Sequence, residues 1–178
     1  MMFRPIAVLP GAGASLLLLM GLWLPQGSNA APVCGPPEGR RVLQLQPSQA
    51  GLTEQACDLQ SLEKLPAREI VATLPPSLGL AGEHRWKGVS LRDLVKQLGG
   101  SAQSQIQLTA LNDYSVDIPW DDLVRYDPIL AYSRDGQRMG IRDKGPLILI
   151  YPFGSHPQLQ GQDYVNRTIW LVNAVSIR

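Results

Sequence analysis

The sequence predicts a mixed α+β domain, in which the strands of a β-sheet are interspersed with short helices. The run Leu147–Tyr151 is apolar throughout and stands between Gly145-Pro146 and Pro152, which is typical of a strand buried on both faces. Residues 91–98, by contrast, carry leucine and valine at helical spacing. Strands joined by tight turns, as at Asp135-Gly136, together with such helices indicate the α+β class.

The first half of the chain is predicted to contain two strands and two helices. Arg41–Gln46 alternates apolar and polar residues, as a strand with one buried face does. Asp58 can cap a short helix that ends at Pro66, and Glu69–Leu74 is predicted to be the second strand. The clearest helix begins after Ser90, with Asp93 completing a cap, and its buried stripe consists of Leu91, Leu94, Val95 and Leu98.

The second half is predicted to be richer in strands. Ile106–Leu111 and Tyr114–Ile118 are joined by a turn, and Pro119 opens a short helix. The chain then reads as strand, turn, loop and strand from Ile129 to Pro152. The rest is predicted to be a polar loop, Pro152–Asp163, and a last strand, Ile169–Ile177.

The first 30 residues have the layout of a secretory signal peptide. Arg4 gives a basic start, Ser15–Leu24 is an apolar core, and Ser28-Asn29-Ala30 offers small residues for cleavage. An uncleaved membrane anchor over Ile6–Leu24 is the alternative, although Pro10 and two glycines interrupt it. Cleavage predicts a Sec-exported protein that is periplasmic or secreted.

The mature chain is then expected to consist of a flexible leader, residues 31–40, and a domain, residues 41–178. Removal of Arg4 leaves 15 basic and 15 acidic residues, and the basic residues do not cluster. This balance argues against nucleic acid as a partner. Because no second apolar run is long enough to span a bilayer, we expect no membrane association after cleavage.

Two cysteines, Cys34 and Cys57, are present in the chain. In an exported, oxidising context we expect them to form a disulfide. Their spacing matches no metal motif, and His84 and His156 are the only histidines that could assist them. We therefore expect no metal site at these cysteines.

Four polar residues flank predicted strand ends and are the candidate ligand-binding residues. Asp113 and Tyr114 lie at a turn between strands, Lys144 precedes the buried strand, and Arg167 precedes the last strand. Together they could line a pocket for an anionic or polar ligand. The alternative is ordinary surface charge with a buried tyrosine hydroxyl. Phosphate-binding loops, zinc-protease motifs and nucleophile elbows are absent from the sequence, so we name no catalytic residue.

Several segments, in order, resemble the sulfite oxidase type molybdopterin-binding domain. Gly88–Leu94 is similar to that family's "GVPLRDLL", and Asp113–Pro119 is similar to its "DGY…IP". Ile129–Tyr132 followed by Asp135-Gly136 resembles its "LLAY…NG", and Gly145–Pro152 resembles its "HGFPLRLVVP". The resemblance covers about Leu43 to Ile177 and implies the α+β fold of the family, in particular of its small, exported single-domain members.

The resemblance also shows where this chain departs from the catalytic family. There a cysteine in a "CxGN" loop ligates molybdenum, whereas the corresponding loop, Leu74–Gly79, contains no cysteine. The family's histidine before Gly-Phe-Pro corresponds to Lys144, and its arginine after Pro-Leu corresponds to Ile148. A twin-arginine export signal, which a folded cofactor protein would need, is also not evident. We therefore expect no cofactor, with molybdopterin as the alternative.

The sequence thus favours an exported, non-catalytic domain of the molybdopterin oxidoreductase fold. Such a domain would bind a small ligand or a periplasmic partner protein, as in a sensing system. An active molybdopterin-dependent oxidoreductase with unusual metal ligation is the first alternative. A structural interaction module that uses the edge of its sheet is the second.

Overall fold

The computed structural model describes residues 31–47 and 52–178, and the predicted signal peptide lies outside these residues. Two five-stranded β-sheets make up most of the described chain, with short α-helices between their strands. The predicted α+β class is therefore confirmed. One continuous cluster of buried side chains includes residues from both sheets and from the helices between them.

No helix in the described part of the chain is both long and apolar enough to cross a membrane.

Sheet A joins the beginning and the end of the described chain. Its strand order is β2 (Gln55–Asp58), β1 (Arg41–Gln46), β10 (Val172–Ile177), β5 (Ile106–Ala110) and β6 (Ser115–Ile118). The β1–β10 pair is parallel, and the other pairs are antiparallel. In β1 the side chains of Leu43 and Leu45 are buried while that of Gln44 is exposed, as the alternation in the sequence predicts.

Sheet B is built from the middle of the chain. Its strands are β3 (Ala67–Thr73), β4 (Glu83–Ser90), β7 (Ile129–Arg134), β8 (Gln137–Arg138) and β9 (Ile148–Ile150). Strand β7 pairs with β4 on one side and with β8 and β9 on the other. Strand β9 is the centre of the predicted apolar run, and all three of its residues are buried.

Gly88 allows β4 and β7 to come very close together. A Cβ atom at residue 88 would lie 2.1 Å from the carbonyl oxygen of Leu130 and 2.6 Å from the Cα of Ala131, so no larger residue fits without movement of the backbone. The strand pairing shifts its register beside this point, between Lys87 and Gly88. A glycine inside a strand often marks such a close backbone approach.

The α-helices of the described residues are α1 (Leu59–Glu63), α2 (Leu91–Gln97), α3 (Trp120–Tyr126) and α4 (Gln162–Arg167). Helix α2 begins as predicted, because the Ser90 side chain accepts a hydrogen bond from the backbone N–H of Asp93. Its predicted stripe is buried, with Leu91, Leu94, Val95 and Leu98 each no more than 1% exposed.

Four of the labelled elements are not predicted from the sequence: β2, β4, β8 and α4. In β4 the exposed residues Glu83, Arg85 and Lys87 alternate with inward-facing ones, but the glycines beside and within it resemble a loop. Helix α4 begins in the last two residues of the predicted polar loop and continues through residues 164–167, for which the sequence predicts no element. Strand β10 begins at Val172, three residues later than predicted. Leu171 has a positive φ of 58°, which is incompatible with an extended strand at that residue.

The predicted disulfide is present between Cys34 and Cys57. It connects residues 31–40 to the end of β2, and both cysteine side chains are buried. The side chain of Gln55 supports the same junction by accepting a hydrogen bond from the N–H of Val33 at 2.7 Å. This part of the predicted leader is therefore attached to sheet A.

Asp58 stabilises the same junction through hydrogen bonds. Its carboxylate caps α1 by accepting from the backbone N–H and the hydroxyl of Ser61, both at 2.7 Å. It also accepts from the N–H groups of Glu38 and Gly39, at 2.8 and 2.7 Å. The bonds from the Ser61 side chain and backbone, followed by the one from Gly39, lower the pKa of Asp58 from 3.8 to about 2.

We expect Asp58 to make stability depend on pH in the acid range. Because its pKa is lower in the folded state, its contribution is present above about pH 4 and is lost as the pH falls towards about 2. Urea unfolding of wild type and Asp58→Asn at several pH values tests this. The stability difference between them should shrink as the pH falls; Asp163→Asn, which changes an exposed carboxylate in α4, is the matched control. A constant difference for Asp58→Asn would contradict the assignment.

Candidate functional site

Two turns at the ends of sheet B strands place the backbone of one loop close to the charged side chain of another. After β3, a short 3-10 turn over Pro76–Leu78 ends at Gly79, whose φ is 66°. A second 3-10 turn, Ile141–Asp143, ends at Lys144 with a φ of 67°. The left-handed conformation is uncommon for lysine, so the backbone at Lys144 is held by its surroundings.

The segment after α4 lies against Lys144. The N–H of Leu171 donates to the carbonyl oxygen of Lys144 at 3.0 Å, and Trp170 forms an isolated antiparallel bridge with Ile148 of β9. As a result, the Lys144 Nζ lies 3.8 Å from the centroid of the Trp170 ring. The same nitrogen is 3.8 Å from the position that a Cβ atom on Gly79 would take. We call Gly79, Lys144 and Trp170 the Lys144 cluster.

The Lys144 cluster presents a positive charge that is only partly balanced. Lys144 is half-buried and has no ion-pair partner within residues 31–47 and 52–178. A cation over an indole ring is stabilised by roughly 0.5–2 kcal/mol, depending on how far it is removed from water. The arrangement can therefore attract an anionic group.

The side chain of Arg167 points into a buried polar network. Its Nη1 donates to the Oδ2 of Asp122 at 3.0 Å, and the hydroxyl of Tyr151 donates to the same oxygen at 2.8 Å. The Asp122 side chain is 6% exposed and that of Arg167 is 24% exposed. Burial, and then the negative charge of Asp122, raise the pKa of Tyr151 far above its usual value. Tyr151 therefore remains a hydrogen-bond donor at any physiological pH.

Three further aromatic rings pack beside this network. The hydroxyls of Tyr126 and Tyr164 lie 3.3 Å apart, and the Tyr126 ring meets that of His156 edge-on at 5.2 Å. The hydrogen bond with Tyr126, together with burial, raises the pKa of Tyr164 to about 12. Tyr164 is consequently not a phenolate at neutral pH. The three rings instead form a packed support for Arg167, whose guanidinium carbon lies 5.3 Å from the centroid of the Tyr164 ring.

The structure brings three of the four predicted ligand-binding residues to one segment, residues 166–171. The half-exposed Tyr114 donates from its hydroxyl to the carbonyl oxygen of Asn166 at 3.4 Å. Lys144 contacts Trp170 and Leu171, and Arg167 is itself in the segment. Asp113 occupies the exposed turn before Tyr114 with a φ of 64°, and its carboxylate has no partner in the described part of the chain. A single ligand pocket formed by all four residues stays a prediction.

Sequence comparison then decides the family. Residues 44–154 match the family described as oxidoreductase molybdopterin binding domain, which is more than half of the chain. The chain belongs to this family. No curated protein matches the sequence significantly.

A solved structure shows the same fold. The crystal structure of the sulfane dehydrogenase SoxCD from Paracoccus pantotrophus is similar over 76% of this chain, with a TM-score of 0.54 and 14% sequence identity. The likeness covers 37% of the SoxCD chain, so the present domain spans little more than a third of that protein. At this identity the comparison establishes the molybdopterin-binding fold and nothing about the reaction.

The donor groups of this member do not fit metal ligation by a thiolate. Both cysteines are used in the disulfide, and the loop after β3 reads Leu-Pro-Pro-Ser-Leu-Gly from Leu74 to Gly79. Within residues 31–47 and 52–178, no group of three or more His, Cys, Asp and Glu side chains is placed to hold a metal ion. Ile148, where the resemblance expects an arginine, is buried in the core.

Sequence reasoning missed Gly79 and Trp170 as parts of the site. The signal that could have indicated Gly79 is its place in the loop Leu74–Gly79, where the family resemblance expects the metal-ligand cysteine.

Proposed function

We propose that this chain is an exported, non-catalytic member of the oxidoreductase molybdopterin binding domain family, which binds an anionic or polar ligand or a partner protein. The observation that carries the proposal is the Lys144 cluster. The Lys144 ammonium lies over Trp170 and beside Gly79, and Gly79 belongs to the loop in which the family resemblance expects the metal-ligand cysteine. A cation thus stands close to where a soft, anionic sulfur ligand is expected.

Two other observations support this proposal. The disulfide agrees with an oxidising compartment, where the signal-like pattern of residues 1–30 would direct the chain. Arg167, three residues before Trp170, is engaged in an ion pair with Asp122. A binding role needs only the exposed part of such a site, whereas a redox role needs a metal with its ligands.

We expect protein purified from the periplasm of its native host to contain no stoichiometric molybdenum or tungsten and no bound pterin. Elemental analysis by mass spectrometry and pterin fluorescence after oxidation measure this. A molybdenum enzyme isolated from the same cells by the same route controls for loss of cofactor. Near-stoichiometric metal with pterin would favour the alternative of an active oxidoreductase. In that case the protein would supply either an oxygen ligand to the metal or no ligand.

Ligand binding is tested on the same preparation by thermal unfolding with sulfate or phosphate as the probe. A ligand that binds the folded state raises the melting temperature. The rise should be lost in Lys144→Met, which keeps the side-chain stem, and retained in Lys96→Met, which removes an exposed lysine of α2. An equal rise in all three proteins would show that the anion acts elsewhere.

A further inference from the structure

A cleft that none of the residues of the Lys144 cluster lines lies on the side of sheet A where β1 begins. Its volume is about 860 Å³, within the range of sites for small organic ligands. One wall comes from the first residues of β1 and from β2, and the other from the segment Arg138–Asp143. Neither Lys144 nor Trp170 lines it, so this cleft and the Lys144 cluster are different places.

Two β-bulges in strands of sheet A lie at this cleft. The β1–β2 pairing shifts register between Arg41 and Leu43, which leaves Val42 as an extra residue. The β10–β5 pairing shifts between Val172 and Ala174, which leaves Asn173 as another. Val42 and Asn173 both line the cleft. Bulges redirect side chains and are frequent beside functional sites.

Part of the cleft wall is apolar and open to solvent. Leu111 is 46% exposed and Ile141 is 54% exposed, which places both among the few large apolar side chains with such exposure in the described chain. Both line this one cleft, together with the half-buried Val42 and Leu59. Exposed apolar residues that converge on a concavity indicate a surface that is covered when a ligand binds.

The charged residues of the cleft are unbalanced towards positive. Arg40, Arg41 and Arg142 have no acidic partner among the residues that the structure describes, whereas Arg138 is paired with Glu63 through two hydrogen bonds. Asp58, whose carboxylate accepts four hydrogen bonds, and Asp143 are the two acidic residues of the lining, against four arginines.

Asn173 lines the cleft at one of these two bulges. Its Oδ1 atom is buried and has no hydrogen-bond partner within residues 31–47 and 52–178. A buried polar atom of this kind is costly unless a donor reaches it.

We propose that this cleft binds an amphipathic anion, that is, a molecule with an extended apolar body and one anionic headgroup such as a carboxylate. The apolar body lies against Val42, Leu111 and Ile141. The headgroup is attracted by the arginines at the rim, of which Arg41 and Arg142 stand on opposite walls. This site does not depend on whether the domain also carries a metal.

Calorimetric titration with dodecanoate, below its micelle concentration, tests the site. We expect saturable binding to wild type and at least tenfold weaker binding to the double variant Arg41→Gln, Arg142→Gln. A second variant, Ile141→Gln, changes only an exposed apolar side chain and should also weaken binding. The matched control Lys96→Gln, Arg125→Gln has the same change in net charge at two exposed helical positions and should bind like wild type.

The other arms of the experiment separate headgroup, tail and membrane effects. Dodecyltrimethylammonium, with the same tail and opposite charge, and acetate, with the headgroup but no tail, should each bind at least tenfold more weakly. Equal affinity for the cationic amphiphile, or equal binding by the arginine double variant, would overturn the proposal. So would binding to anionic phospholipid vesicles without any binding of monomeric dodecanoate, because a bilayer surface does not enter a cleft of this size.

Discussion

Replacing Asp122 by asparagine is expected to lower the free energy of unfolding by about 3 kcal/mol, because it leaves the Arg167 guanidinium largely buried without its counter-ion. The same carboxylate oxygen accepts the hydrogen bond from Tyr151, so both donors lose their charged acceptor. Removing one partner of a buried pair typically costs about 3–5 kcal/mol, and the partial exposure of Arg167 places this case at the lower end.

Equilibrium urea unfolding of purified variants measures the effect. Asp121→Asn is the matched control, since it makes the same change one residue earlier in α3, where the side chain is 74% exposed and pairs only with Arg125. That substitution should cost less than about 1 kcal/mol. In a double-mutant cycle with Arg167→Gln, the double variant should lose clearly less than the sum of the single losses. An additive cycle would contradict the coupling.

Loss of the disulfide is expected to destabilise the domain by about 3 kcal/mol, the value that the chain-entropy model gives for a closed loop of this length. Cys34 and Cys57 are separated by 23 positions, and the bond fixes the segment before β1 against the end of β2. Without it, residues 31–40 would be attached by the hydrogen bonds of Gln55 and Asp58.

Unfolding of the oxidised and the reduced wild-type protein gives the cleanest measurement, because the two states have the same side chains and differ only in the bond. The variant Cys34→Ala, Cys57→Ala should resemble the reduced protein and should not respond to reductant. A difference below about 1 kcal/mol between oxidised and reduced protein would show that the hydrogen bonds of Asp58 already hold the junction.

Local signals account for the part of the fold that the sequence could predict. Helix α2 is predicted almost to the residue because its cap at Ser90, its buried stripe and the glycines that follow it, Gly99 and Gly100, all lie within eleven residues. Strand β4 was missed because its identity depends on β3 and β7, which pair with it on both sides. Helix α4 was missed because its first residues are polar and its inward-facing residues are tyrosine and valine, whose partners lie far away in sequence.

For the candidate site, the sequence predicts only which polar residues flank the ends of strands. Lys144 and Arg167 could be singled out because each precedes an apolar run. Their actual partners could not be predicted, since Trp170 reaches Lys144 through the bridge to Ile148, and Asp122 reaches Arg167 from a helix 45 positions earlier. Such contacts follow from tertiary packing, which a single sequence does not encode in any local pattern.

The parallel pairing of β1 with β10 constrains the order in which this protein can fold. Strand β1 cannot take its place in sheet A until Val172–Ile177 is available, because β10 separates it from β5. Sheet B, by contrast, uses residues 67–150 and can pair while the end of the chain is still being delivered. Contacts between distant segments form late because closing a long loop is entropically costly. In a chain threaded across a membrane from its N-terminus, sheet B is therefore expected to form first, and the cleft beside β1 is completed last.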